Sequence, residues 1–454
     1  MTSTIRSTTA LLALAWAALA HAAATPEQVA SLSGANTPLG TLRAGNSDGS
    51  IPAWDGGLTK APAGFDVKQG YPDPFAGEQP VLVITKANAG EHADKLSVGQ
   101  KKMLERFPDY RIKVYPSHRT AALPEAQYKL AREGAAKTVL APSGNGVVNG
   151  QRNPRPFLFP TRGEEVLWNH SFRYRGGSAN VDYGFFIVEG NGNVSKFAIE
   201  DLFAEPTHID HLPDGIAQNT SFMFRNRIYE PAAFDGVMFL AHDKLNQDQD
   251  ARAGWQYNVG QRRVKRVPDL CCDFQAEGFG HIRNTDLYDF WNGPTNRYEW
   301  KLLGAKEMYV PYNNYRMTSR KLTHADFIGK GHVNPDLVRY EKQRVWVVEG
   351  TLRSDQRHFI AKRTMYVEQD SAVVVLQDIY DAKGGLWRIG ENYVFHEYTN
   401  LIQSSAAYSI VDLNLGAYIV DRATALGRKM PTYGKRISYT ADLTPDALRR
   451  FGTK

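Results

Sequence analysis

Few side chains of this sequence stand at spacings that support metal binding. His208, Asp210 and His211 place two imidazoles and one carboxylate close together in a stretch bounded by prolines, and such a set can meet a metal ion. A third or fourth ligand cannot be identified elsewhere in the sequence. We therefore interpret these residues as part of a surface loop, and we predict no metal and no cofactor.

The motifs of common hydrolases are absent from the sequence. A serine hydrolase needs Gly-x-Ser-x-Gly, and the nearest stretch, residues 176–180 (GGSAN), has Asn at its last position. A zinc peptidase needs His-Glu-x-x-His, which does not occur. These absences predict a protein that is not an enzyme.

Aromatic residues are the more prominent feature, with 21 Phe, 22 Tyr and 8 Trp. Many stand on one face of segments in which apolar and polar residues alternate. Core packing explains most of them, but a strongly curved sheet that its own side chains cannot fill would leave a mostly apolar cavity for a ligand. The candidate ligand-binding residues are Phe185, Phe222, Phe224, Trp255, Tyr257, Phe359, Met365 and Arg363.

Arg363 is the charged member of that set, on the same predicted face as Phe359 and Met365. A buried guanidinium is costly unless it is paired. The partner is either the acidic head group of a ligand or a structural carboxylate, and we favour the carboxylate of Glu391.

The elements that must position these residues are mainly strands. Alternation predicts antiparallel strands with one solvated side at residues 181–189, 194–200, 221–229, 254–266, 297–303, 344–352, 357–367, 372–380 and 386–395. Helices are predicted at residues 97–107, 124–140 and 164–172. The pattern indicates a β-rich α+β fold, in which one antiparallel sheet curls into an unclosed barrel with helices packed against it.

The N-terminus predicts export. Arg6 precedes an uncharged apolar run at residues 10–20, and small residues follow at positions suited to cleavage near Ala22 or Ala24. We therefore divide the chain into a signal peptide (1–24), a Pro- and Gly-rich N-terminal extension with two helices (25–160) and an open-barrel domain (161–454). The formal charge of +6 comes from scattered basic residues, and no nucleic-acid partner is predicted.

The two cysteines, Cys271 and Cys272, are adjacent and do not form a disulfide framework. A strained bridge between neighbours is possible in an oxidising compartment. We favour two free, partly buried thiols, because adjacent Cα atoms stand closer than disulfides usually require.

Three segments together resemble a known bacterial family. They are residues 37–57, which include Ile51-Pro52-Ala53-Trp54-Asp55-Gly56-Gly57; residues 255–264 (WQYNVGQRRV); and residues 357–370, which include KRTMYVEQD. The family is domain of unknown function 1329, grouped with outer-membrane lipoprotein-sorting proteins. The resemblance implies an unclosed barrel with a helical lid, like the periplasmic lipoprotein carriers, and a setting beside RND-type transporters and outer-membrane proteins.

These observations predict a periplasmic carrier for a hydrophobic or amphipathic ligand, such as a lipid or a lipoprotein acyl chain, in envelope transport. Two alternatives remain. One is a non-enzymatic scaffold that docks to an RND-type transporter or an outer-membrane protein, and the weaker one is an envelope hydrolase.

Overall fold

The computed structural model describes residues 23–148, 153–267, 270–275 and 281–452. Residues 1–22 of the predicted signal peptide lie outside the described residues. Within the described ranges, no helix is both long and apolar enough to cross a membrane.

One mostly antiparallel sheet of 16 strands dominates the protein. The strands of the described chain are β1 (Leu82–Ile84), β2 (Ile112–Tyr115), β3 (Val139–Leu140), β4 (Val147–Val148), β5 (Ser178–Val188), β6 (Val194–Ala204), β7 (Ile209–Asp210), β8 (Thr220–Glu230), β9 (Met238–Lys244), β10 (Ala253–Asn258), β11 (Arg263–Arg266), β12 (Tyr298–Pro311), β13 (Tyr340–Leu352), β14 (Lys362–Glu368), β15 (Val374–Tyr380), β16 (Leu386–Glu397), β17 (Ile402–Asp412), β18 (Ala417–Ala423), β19 (Thr432–Tyr433) and β20 (Ile437–Ser438).

The helices are short and few. They are α1 (Pro26–Ser31), α2 (Val98–Arg106), α3 (Glu125–Ala135), α4 (Gly163–Phe172), α5 (Asp214–Ala217), α6 (His324–Phe327), α7 (Tyr439–Asp442) and α8 (Pro445–Gly452). The three helices predicted from the sequence correspond to α2, α3 and α4. The second ends earlier than predicted, because residues 139–140 form β3 instead.

The main sheet runs in the order β1-β2-β13-β14-β15-β16-β17-β18-β5-β6-β8-β9-β10-β11, with β12 also paired to β13 and β19 to β5. Its pairings are antiparallel except that between β2 and β13. Among the described residues, no pairing joins the two ends of this order. The sheet is therefore curled but not closed into a barrel, and the predicted fold class is confirmed.

Strands β5 and β6 form a hairpin in the main sheet. They pair in register from Ser178 with Ala204 to Val188 with Val194. The tight turn between them contains Asn191 and Gly192, and Gly192 has a φ of 89°, which favours glycine. The sequence predicted this hairpin correctly because alternation and turn chemistry agree there.

One continuous apolar cluster lies on the face that carries Phe185. It joins Phe222 of β8 and Phe239 of β9 to Trp300 of β12 and Val348 of β13, strands near opposite ends of the sheet order. Such strands share a cluster only if the sheet curls toward that face, which we call the concave face. Helix α4 and residues 281–296, which we call the covering segment, also pack against it.

Residues 58–119, which we call the N-terminal segment, cover the opposite face. Side chains such as Leu96 and Met103 pack against Tyr393 of β16 and Tyr418 of β18, and strands β1 and β2 extend the sheet edge. The sequence predicted one solvated side for β14, β15 and β16 and did not predict β17 and β18, whereas the structure buries both sides of β14 to β18 almost throughout. The prediction was wrong because alternation within a strand cannot show that a distant segment covers its polar face.

Two local predictions also differ from the structure. Residues 254–266 are not one strand but the hairpin β10–β11, in which the Asn258 side chain accepts a hydrogen bond from the backbone N–H of Gln261 at 3.0 Å. Cys271 and Cys272 are not free thiols, since their sulfurs are joined in a vicinal disulfide. Cys272 adopts a φ of 62°, and this backbone conformation accommodates the bridge that ordinary extended neighbours could not form.

Asp378 provides a test of how the N-terminal segment is attached. Its carboxylate accepts hydrogen bonds from Ser97 Oγ at 3.1 Å and the Gly99 N–H at 3.0 Å, both at the start of α2, and from the Tyr366 hydroxyl at 3.0 Å. Burial raises the pKa of Asp378 to about 6, although these donors act in the opposite direction. The folded protein therefore holds this proton more tightly than the unfolded chain does.

We predict that Asp378→Asn changes the pH dependence of stability. The contribution of protonated Asp378 is fully present below the unfolded pKa and is lost as the pH rises through about 6. Between pH 4 and pH 7 the free energy of unfolding of the wild type should fall relative to that of the variant, by on the order of 1–3 kcal/mol. Urea unfolding at both pH values measures this, with the exposed Asp355→Asn as control. Parallel pH profiles for the wild type and Asp378→Asn would contradict the prediction.

Candidate ligand-binding cavity

A cavity of the described chain lies on the concave face. Strands β5, β6, β8 and β9 form one wall, and the end of α4 and the covering segment form the other. Its empty space measures about 1070 Å³, including the part open to solvent. A neighbouring cavity of about 570 Å³ shares Phe224, Ala241, Arg252, Tyr288 and Asn292 with it, so the two adjoin.

The sheet side of the cavity carries a group of aromatic rings among polar and small side chains. Phe203 of β6 lies directly opposite Phe224 of β8 in the strand register. The ring centroids of Phe203 and Phe222 stand 5.0 Å apart, and those of Phe224 and Tyr288 stand 5.4 Å apart. Period two places these rings on one face, because residues 222 and 224 of β8 point the same way. This wall suits an apolar chain.

Two arginines and an aspartate form the opposite wall. Helix α4 ends at Phe172, and the extended chain that follows carries Arg173 and Arg175. Arg173 Nη2 donates to both carboxylate oxygens of Asp289 at 2.7 Å, and Arg175 Nη2 donates to Asp289 Oδ2 at 2.8 Å. Asp289 has a φ of 56°, a conformation that aspartate tolerates better than most residues.

Electrostatics keeps this cluster charged. Burial alone would raise the pKa of Asp289, but the guanidiniums of Arg173 and Arg175 outweigh it and hold the pKa well below its usual range. Burial lowers the pKa of the neighbouring His170 to about 3, and the positive charge of Arg173 acts in the same direction. His170 is therefore neutral near pH 7, while the carboxylate is ionised.

Other charges at the cavity are individually paired. Arg252 Nη2 donates to Asp243 at 2.7 Å, and Arg422 Nη1 donates to Asp201 at 3.1 Å. The hydroxyl of Tyr288, on the covering segment, also donates to Asp201 at 2.7 Å. The bond from Tyr288 connects the covering segment to β6 beside the cavity.

The structure separates the candidate residues proposed from the sequence. Phe222 and Phe224 line the cavity. Phe185, Phe359 and Met365 belong to the concave-face core or pack against it, but they do not line this cavity.

Trp255 and Tyr257 lie on the opposite face of the sheet. They pack in a separate cluster with the C-terminal helix, where the hydroxyl of Tyr257 donates to the Gly452 carbonyl at 2.9 Å. The alternation of apolar and polar residues shows which side chains of a strand share a face. It could not show which face of β10 is turned toward the cavity.

Arg363 does not meet Glu391, which corrects the predicted pairing. Arg363 Nη2 donates to Asp286 at 2.8 Å and to the Tyr298 hydroxyl at 2.7 Å. Glu391 lies on the other side and accepts from the hydroxyls of Tyr110 and Tyr340 at 2.7 and 2.9 Å. Asp286 stands far from Arg363 in sequence, in a region without periodicity, so no local pattern indicated it.

Sequence reasoning missed Arg173, Arg175 and Asp289. The signal that was present is the pair of arginines spaced by one residue directly after a predicted helix, at residues 173–175 (RYR). Nothing in the sequence indicated that Asp289 would face them. The predicted surface loop holds Asp210, which accepts from Arg436 Nε at 2.7 Å, and among the described residues no group of three or more His, Cys, Asp or Glu could hold a metal ion.

Comparison with known proteins identifies the family. The model of the family described as protein of unknown function (DUF1329) matches residues 83–449. The chain belongs to this family. It is also 38% identical over 438 residues to an uncharacterized protein of Pseudomonas aeruginosa, a match that covers 95% of each chain. The resemblance drawn from the sequence is thus confirmed.

Two solved structures match part of the chain at low sequence identity. A putative outer membrane lipoprotein-sorting protein domain from Vibrio parahaemolyticus is 14% identical, with a TM-score of 0.43 over 63% of this chain and 97% of that one. A DUF1329 family protein from Desulfovibrio piger is also 14% identical, with a TM-score of 0.40 over 60% of this chain and 92% of that one.

We predict that Asp289→Asn strongly destabilises the protein. Asparagine keeps the shape and tolerates the positive φ, but it leaves Arg173 and Arg175 buried without an anionic partner, which costs about 3–5 kcal/mol. Urea unfolding measures the loss. The matched control is Asp235→Asn, whose carboxylate is 55% exposed and stands 3.9 Å from Arg227, and it should cost less than about 1 kcal/mol. Equal losses in the two variants would show that the cluster does not anchor the covering segment.

Proposed function

We propose that this protein is a non-enzymatic carrier that binds a hydrophobic or amphipathic molecule, such as a lipid or an acyl chain, in the cell envelope. The observation that carries the proposal is the cavity on the concave face, where the rings of Phe203, Phe222 and Phe224 adjoin a cluster of buried charges. Ligand sites are typically concave and combine apolar surface with placed polar groups. The three rings supply apolar surface of this kind, and the cluster of Arg173, Arg175 and Asp289 supplies polar groups.

Desolvation supplies the binding energy in this proposal. Each Å² of apolar ligand surface removed from water contributes about 25 cal/mol, so an alkyl chain laid against Phe203, Phe222 and Phe224 binds without a covalent step. Release then requires a recipient with a better apolar site. We propose an RND-type transporter or an outer-membrane protein for this role, following the envelope setting that the family resemblance implies.

The proposed location is the periplasm. Two features support it: the export signal predicted at residues 1–24 and the disulfide between Cys271 and Cys272. Disulfides persist in oxidising compartments and are rare in the cytosol. The N-terminal segment covers the outer face of the sheet rather than the cavity, so it leaves the ligand site accessible in this proposal.

We predict that Ala241→Trp abolishes binding without unfolding the protein. Ala241 lines both cavities, and an indole at this position fills space that a ligand would occupy. Protein purified from the periplasm should carry a bound molecule visible by native mass spectrometry, and the variant should lack it. The control is Leu303→Trp on β12, at a side chain that is 55% exposed, which should retain the bound molecule.

The cavity-filling substitution is expected to cost no more than about 1–3 kcal/mol of stability, the usual range for overpacking, and thermal unfolding checks this. A graded variant, Ala241→Leu, should lose the ligand in part. If the wild-type protein is isolated empty and also fails to take up decanol or decanoate, the carrier proposal is wrong.

A further inference from the structure

The charges that line the cavity do not balance. Arg252 pairs with Asp243 and Arg422 pairs with Asp201. Lys244, the remaining lysine of the lining, bonds to Asp250 at 2.5 Å. What is left is Asp289 shared between Arg173 and Arg175, so two cations face one anion. The excess positive charge of the cavity is therefore located at this cluster.

The two guanidiniums also have unused donors. The Nε atoms of Arg173 and Arg175 are both buried and have no hydrogen-bond partner. The Arg173 side chain is only 9% exposed, and that of Arg175 is 19% exposed. A buried donor without a partner costs free energy, and a buried charge that is not fully compensated costs more. An anion placed here would relieve both costs.

Arg173 stays charged at neutral pH despite this environment. Burial lowers the pKa of Arg173 to about 10, and the adjacent Arg175 acts in the same direction, but the group is still protonated near pH 7. The cluster therefore presents a permanent positive charge to the cavity.

The position of Arg175 connects this charge to the apolar wall. Its guanidinium carbon stands 5.3 Å from the centre of the Phe203 ring and 5.7 Å from that of Phe222. An anion bound to Arg175 is thus next to the aromatic surface along which an alkyl chain would lie. A guanidinium also matches a carboxylate or a phosphate better than a lysine ammonium does, because its donors are arranged as a planar fork.

We propose that the ligand of this cavity is an anionic amphipath, whose carboxylate or phosphate head group binds Arg173 and Arg175 while its alkyl chain lies against Phe203, Phe222 and Phe224. This inference rests on the carrier function proposed above and names the class of ligand. It places the anion beside Asp289 without displacing it, since the unused donors belong to the arginines.

Isothermal titration of the full-length, delipidated protein tests the proposal with four probes that share a chain or a head group. Decanoate and decyl phosphate carry an alkyl chain and an anion, decanol carries the same chain without charge, and inorganic phosphate carries the anion without a chain. Decanoate or decyl phosphate should bind about tenfold or more tightly than decanol, because charge-assisted hydrogen bonds are worth about 1.5–3 kcal/mol. Inorganic phosphate alone should bind more weakly than either. Whichever of decanoate and decyl phosphate binds more tightly identifies the head group.

Arg175→Met is the decisive variant. It keeps an apolar side chain over the phenylalanine rings and leaves Arg173 paired with Asp289, so the protein should fold, which thermal unfolding verifies. Its affinity for the preferred anionic amphipath should fall about tenfold or more, while its affinity for decanol changes by less than about twofold. The control, Arg227→Met, removes an arginine that does not line the cavity and should change neither affinity.

The outcomes separate this inference from the proposed function. If decanol binds as tightly as decanoate and decyl phosphate, or if Arg175→Met weakens all three equally, the anionic ligand is ruled out and the carrier function still stands. If none of the chain-bearing probes binds, both are overturned. Selective loss of the anionic amphipath in Arg175→Met supports both.

Discussion

Buried ion pairs hold the covering segment and the N-terminal segment in place. Asp286 with Arg363 joins the covering segment to β14, and Asp289 with Arg173 joins it to the chain that follows α4. Arg119 joins the N-terminal segment to Asp370, in the turn between β14 and β15, at 2.8 Å. Removing one residue of such a pair leaves the charge of the other buried and uncompensated. These contacts therefore fix the positions of the two segments, even where the pairs add little net stability.

The sequence predicted local structure, but it did not predict that the covering segment and the N-terminal segment pack on the two faces of the sheet. Alternation and an Asn-Gly turn were enough for the β5–β6 hairpin, and capping signals were enough for α2. Burial of both faces could not be predicted, because strands such as β15 carry Gln377 and Asp378 where a core is expected to be apolar. These polar side chains predict a solvated face. In the structure, however, Asp378 is buried and accepts a hydrogen bond from the start of α2.

The same limit explains why only part of the site was predicted. Phe222 and Phe224 follow from period two on one strand, but their charged neighbours depend on contacts between segments more than a hundred residues apart, as between Arg173 and Asp289. Arg363 was correctly recognised as a buried cation that needs a carboxylate. The choice of Glu391 failed because that residue belongs to a tyrosine network facing the N-terminal segment, on the other side of the sheet.

In the carrier function proposed above, Asp289 affects ligand release as well as stability. A carrier must bind its cargo firmly enough to hold it and weakly enough to pass it on. Asp289 already accepts hydrogen bonds from one Nη atom of each arginine. A bound anion would therefore contact only the remaining donors, and the net charge of the cluster would be +1 rather than the +2 of two unpaired guanidiniums. Affinity then comes from the sum of a moderate charge contact and the apolar wall, and neither alone traps the ligand. A recipient that offers a better surface to the alkyl chain can therefore draw the whole molecule away, since the remaining head-group contact does not suffice to keep it.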